Sequence, residues 1–244
     1  MDIVVVDNYL ELSKVAADIV VKKINDSNKP VLGLATGSTP EGMYSELVSL
    51  YRNAKVDFGN VISFNLDEYF GLSSSHPQSY NFYMHKNLFD HVNIKAESIH
   101  IPNGKAENPE LTCKNYDRSI VTAGGIDLQI LGIGNNGHIG FNEPDQCLAV
   151  ETHVVELTAD TIEANSRFFE TRGDVPSKAI TMGMGSIMFA KKILLLASGI
   201  GKAMAINRAL SGYISTLCPA SLLQLHSQVT VILDQEAASM LNNI

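Results

Sequence analysis

Gly134-Asn-Asn-Gly-His-Ile-Gly-Phe-Asn-Glu-Pro144 concentrates the residue types that move protons. In it and just before it, Gly132, Gly134, Gly137 and Gly140 surround His138. Glycine at that density forfeits chain entropy, which implies a backbone held in tight or left-handed geometry close to a ligand. His138 has the side chain whose ordinary proton affinity lies nearest neutrality. Glu143, five residues on, can orient the imidazole and stabilise its charged form, and Asn136 offers an amide to the same ring or to a sugar hydroxyl. A histidine in a glycine-rich turn can also be structural. One histidine and one glutamate are too few for a metal site, and no HxH or CxxC accompanies them.

Two further segments carry chemistry. Phe64-Asn-Leu-Asp-Glu-Tyr69 ends an apolar run with adjacent carboxylates, Asp67 and Glu68. Alternation along a strand lets only one of them face a crevice. That one can remove a proton from carbon next to a carbonyl, unless the pair serves as a helix cap or a surface turn. Val31-Leu-Gly-Leu-Ala-Thr-Gly-Ser-Thr-Pro-Glu41 runs from strand into helix. The N–H groups at such a helix start, with the hydroxyls of Thr36, Ser38 and Thr39 and the open backbone of Gly37, form a phosphate cradle. Alternatively Ser38 or Thr39 is an ordinary N-cap. The loop is neither a Walker motif nor GxGxxG, so ATP and NAD are not indicated. Arg167 can grip a phosphate through two hydrogen bonds and Lys202 as a point charge, or either is a solvated surface cation.

These segments need a scaffold. Near-continuous apolar runs at 3–6, 31–35, 61–66, 128–133, 193–197 and 229–233 predict strands buried on both faces. Helical spacing predicts helices over 9–24, 41–51, 79–89, 109–121 and 201–210. The alternation predicts an α/β fold, one doubly wound, mostly parallel, Rossmann-like sheet with helices on both faces, formed by residues 1–244 as a single domain. Such sheets bind ligands beyond the carboxyl ends of their strands, where the three segments fall. Residues 145–176 are a candidate lid. Of 244 residues 45% are hydrophobic, enough for a core, and the net charge of −8 excludes general binding to nucleic acid or anionic membrane. Three scattered cysteines and the lack of a leader or long apolar run predict a soluble cytoplasmic protein.

Together, Leu34–Pro40, Phe64–Tyr69, Leu131–Pro144, Ala164–Phe169 and Pro219–His226 resemble the glucosamine-6-phosphate deaminase family, in order and across nearly the whole chain. The resemblance implies conversion of glucosamine 6-phosphate and water to fructose 6-phosphate and ammonia, without cofactor or metal. It implies that His138, supported by Glu143 and Asn136, opens the sugar ring. Asp67 then carries the C2 proton to C1, while Thr36, Gly37, Ser38, Thr39, Arg167 and Lys202 hold the phosphate. The departures are Asn136, where several members carry Asp, and His153-Val-Val-Glu156, where larger regulated members place basic residues. They lead us to expect a monomer rather than a hexamer, with no effector activation. The similar 6-phosphogluconolactonases lack the Asp-Glu-Tyr and Phe-Asn-Glu-Pro sequences.

Overall fold

A computed structural model of the chain describes residues 1–166, 169 and 171–241, with the backbone alone for 160, 164 and 172. Seven strands form one parallel sheet in the order β1-β10-β9-β6-β2-β3-β5. They are β1 (Asp2–Val6), β2 (Val31–Leu34), β3 (Ile62–Asn65), β5 (Ile99–His100), β6 (Leu128–Leu131), β9 (Ile193–Ala197) and β10 (Val229–Asp234). Every residue of β2, β3, β6 and β9 is buried, so both faces of the sheet are covered. The two-residue β5 is too short to register as an apolar run.

The covering helices include α1 (Tyr9–Asn25), α2 (Ser38–Arg52), α3 (Tyr80–Asn87), α4 (Pro109–Thr122) and α7 (Ala203–Ala209). Local chemistry fixes their ends. Asn8 accepts the Glu11 N–H at the start of α1, whose last turn carries Lys22 and Lys23 against the dipole. α2 starts three residues earlier than the spacing predicted. Its N-cap is Gly37, at φ +100°, and no side chain caps it. The reading of Ser38 or Thr39 as an ordinary cap is therefore corrected.

One layer was not foreseen. β4 (Asp67–Phe70), β8 (Lys178–Thr181) and β7 (His153–Glu156) form a second, antiparallel sheet. Asp67 therefore begins a new strand instead of ending β3. Leu66 joins the two strands, its N–H bonded to Leu34 at 3.0 Å and its carbonyl to the Met182 N–H at 2.7 Å. Residues 145–176, expected as a lid, supply β7 and α5 (Ala159–Ser166). α6 (Met184–Met188) and α8 (Gln235–Ala238) complete the fold. No helix among the described residues is long and apolar enough to cross a membrane.

Candidate active site

A cavity of about 890 Å³ opens beyond the carboxyl ends of β2, β3 and β6. It brings together Thr36–Thr39, Asp67, Asn136, His138 and Lys202. Arg167 lies outside the described residues.

On one wall, three tyrosines hold the loop before α2 by its carbonyls. Tyr44 donates to Ala35 at 2.6 Å, Tyr83 to Gly37 at 2.7 Å and Tyr9 to Ser38 at 2.9 Å. With those oxygens engaged and no side-chain cap on the helix, its first N–H groups are available to an anion at the positive end of a 15-residue dipole. A Cβ on Gly37 would meet nothing within 4 Å, so the backbone angle calls for glycine here, not space.

The acidic pair splits as alternation predicts. Glu68 turns away and accepts the N–H groups of Tyr69, Tyr80 and Asn81, each at 2.8 Å, tying β4 to the start of α3. Asp67 lines the cavity yet is only 6% exposed. Burial, reinforced by the charge of Glu68, pushes its carboxyl up to about 8. A carboxyl poised near neutrality in a cleft is suited to general acid–base work.

The opposite wall is the glycine-rich loop after β6. His138 Nδ1 lies 3.3 Å from Glu143 Oε2, which assigns the proton to Nδ1 and leaves Nε2 as the basic nitrogen. Burial alone would raise the Glu143 carboxyl. The hydrogen bond and charge of His138 outweigh it, with help from Thr161 and Asn136, and hold the group down at about 2. A Cβ on Gly134 would lie 2.3 Å from His138 Cε1, so only glycine leaves the ring its place.

Asn136 corrects the sequence reading. Its amide donates to Glu143 Oε2 at 2.7 Å and its carbonyl accepts the His138 backbone N–H at 3.1 Å, so it supports the ring through Glu143 and makes no hydrogen bond to it. Thr161, which donates to the other Glu143 oxygen, was not singled out from the sequence. Neither was Tyr80, which lines the cavity beside Asp67. Nothing local marks them: Thr161 is 18 residues from its partner, on a helix with little apolar periodicity. Among the described residues no group of three or more His, Cys, Asp or Glu could hold a metal ion.

Residues 8–232 match the family described as glucosamine-6-phosphate isomerases/6-phosphogluconolactonase. A glucosamine-6-phosphate deaminase of Thermoanaerobacter sp. is 58% identical over 241 residues, covering 99% of this chain and 95% of the relative. One of Clostridium botulinum is 56% identical over 242 residues, covering 99% of each. Among solved structures, a monomeric glucosamine-6-phosphate deaminase superposes with a TM-score of 0.96 at 48% identity, covering 98% of this chain and all of the other. A 6-phosphogluconolactonase of Leishmania guyanensis reaches 0.75 at 19% identity over 99% of each chain, a likeness of fold alone. The chain belongs to the glucosamine-6-phosphate deaminase family.

Proposed function

We propose that this chain converts glucosamine 6-phosphate and water to fructose 6-phosphate and ammonia. The observation that carries the reading is one cavity that gathers an uncapped helix start, a buried carboxyl near neutrality and a carboxylate-oriented imidazole. Deamination with isomerisation needs each of these.

The phosphate binds at the N–H groups and hydroxyls of Thr36–Thr39, with Lys202 and Arg167 as its cations. Nε2 of His138 takes the O1 proton of the pyranose and returns a proton to the ring oxygen, opening the sugar to an aldehyde. Glu143 stabilises the imidazolium formed between the two transfers, and Asn136 holds Glu143. The substrate ammonium beside Asp67 then favours the ionised carboxylate, reversing the effect of burial. Asp67 removes the C2 proton while one ammonium proton passes to O1, giving an enolamine, and then delivers its proton to C1, giving the protonated 2-imine. Water adds at C2 and ammonia leaves, which yields the ketose.

An ammonia-coupled assay on wild type and Asp67→Asn tests this. Turnover in the first and near-complete loss in the second is the expected result. Equal rates would remove Asp67 from the mechanism, and no ammonia from either would remove the reaction. We further propose that residues 1–244 act as one domain, as a monomer like the superposed relative, and in the cytoplasm, where the free thiols of Cys113, Cys147 and Cys218 stay reduced.

A further inference from the structure

Buried polar atoms without a protein partner cost about 1–3 kcal/mol each, so their positions call for an explanation. Five such side-chain atoms occur among the described residues: Ser63 Oγ, Asn65 Nδ2 and Oδ1, Gln129 Oε1 and Asn142 Oδ1. Three of the five belong to Ser63 and Asn65, on the run that leads into Asp67. Ser63, Asn65 and Asp67 stand at alternate positions of the run that leaves β3, and Ser63 and Asn65 are fully buried. Phe64, between them, points to the other face and stacks on His100 with ring centres 4.5 Å apart. Asn142 approaches from the glycine-rich loop. A Cβ placed on Gly140 would lie 2.9 Å from Thr181 Oγ1, 3.4 Å from Asp67 Oδ2 and 3.7 Å from Asn142 Nδ2, so the three flank one point. That Nδ2 already donates to the Ile139 and Met182 carbonyls at 2.9 Å each. The Asp67 carboxyl itself accepts no hydrogen bond from the described residues.

We propose that Asn65 is a positioning residue for Asp67, its unpartnered amide holding a buried water that hydrogen-bonds the inner side of the Asp67 carboxyl, with Ser63 joined to Asn65 through a second water. Alternate residues of a strand are roughly 6–7 Å apart, the reach of one water bonded to both. Such a water has the two to four polar partners that internal waters require. It favours the ionised carboxylate, partly offsetting burial, and leaves the base able to ionise near neutrality. The other groups that act on Asp67 are Glu68 and Tyr69 on β4, Tyr44 on α2, Tyr80 on α3 and Tyr116 on α4, with His138, Glu163 and Lys202 lining the same cavity.

The proposal rests on Asp67 being the base. The experiment measures kcat and KM for glucosamine 6-phosphate between pH 5.5 and 9 on wild type, Asn65→Leu, Asn65→Ser, Ser63→Ala and Asp67→Asn. Asn65→Leu removes both amide atoms at similar volume. Its acidic limb is expected to move up by about one pH unit, a roughly tenfold loss of kcat at pH 7, with KM within about twofold. Asn65→Ser, which keeps a hydroxyl and leaves room for one more water, restores most of the rate. Ser63→Ala shifts the limb the same way by less, which keeps the test decisive if Asn65→Leu fails to fold. Wild-type limbs in Asn65→Leu and Ser63→Ala, with Asp67→Asn inactive, overturn this proposal and leave the base assignment standing. An active Asp67→Asn overturns both. A crystal structure better than about 2 Å with no water bonded to Asn65 also overturns it.

Discussion

Asp67→Asn provides a test of the electrostatics that is separate from activity. The folded protein raises this carboxyl from 3.8 to about 8, mainly through burial. Between those limits the folded chain keeps a proton that the unfolded chain has released, so the wild type loses stability as pH rises through that window. A shift of that size corresponds to roughly 6 kcal/mol at full ionisation. Asparagine is nearly isosteric and does not titrate. The variant should match the wild type near pH 4, gain on it by about 1.4 kcal/mol per pH unit, and lead by roughly 6 kcal/mol above pH 8. With a urea dependence of about 2–3 kcal/mol per M for a chain of this size, the midpoints should coincide at pH 4 and differ by about 2 M at pH 8.5. Urea titrations at four pH values, followed by circular dichroism, measure this. A midpoint difference independent of pH, or an asparagine variant less stable at pH 8.5, would refute an Asp67 that is neutral because it is buried.

Four other outcomes are expected. Gly134→Ala puts a methyl 2.3 Å from His138 Cε1 and should lower kcat about 100-fold through displacement of the ring, with little change in KM; unchanged kcat would mean the ring position is not critical. Glu143 is held at about 2, below its ordinary 4.5, so its contribution to stability is present above pH 4.5 and lost as pH falls towards 2. Glu143→Gln should remove roughly 2 kcal/mol of that acid sensitivity between pH 5 and pH 3, read as a flatter urea midpoint over that range. Asn136→Asp should keep substantial turnover and move the pH optimum upward, because a second carboxylate in place of the amide adds negative charge near the imidazole and favours the imidazolium; no turnover at any pH would contradict this. His153–Glu156, where larger relatives are expected to place basic residues, is strand β7 paired along its length with β8. Hyperbolic kinetics unaffected by N-acetylglucosamine 6-phosphate and the mass of one chain by light scattering are therefore expected; sigmoidal kinetics or a hexamer would overturn that.

The two sheets mark where sequence legibility ends. Six of the seven parallel strands could be read because burial on both faces demands apolar residues almost continuously, as in Ile193–Ala197. The second sheet could not, because its strands mix apolar residues with charged or titratable ones: Asp67 and Glu68 on β4, His153 and Glu156 on β7, Lys178 on β8. Its pairing joins segments more than 100 residues apart, such as Asp67 with Thr181. No local pattern encodes that.

The same division runs through the site. Alternation was enough to say that one of Asp67 and Glu68 faces the cleft. Only the N–H groups of Tyr80 and Asn81, arriving on α3, decide that Glu68 is the structural one. Spacing was enough to pair His138 with Glu143, because both lie on one loop. It did not choose between the imidazole and a sugar hydroxyl for Asn136, and the turn at Gly137, at φ +92°, brings the His138 backbone instead of its ring to the Asn136 carbonyl. Thr161 shows why such contacts escape a linear reading. Its hydroxyl closes the shell around Glu143 from a helix on the second layer, so the ionisation of one motif residue depends on a segment with no motif of its own. Thr161→Val removes that donor while keeping the shape, and so should raise the proton affinity of Glu143 while leaving phosphate binding intact. An acid loss of stability that begins at higher pH than in the wild type, at unchanged KM, would connect the α5 segment to the ionisation of Glu143. An unchanged profile would restrict Thr161 to packing.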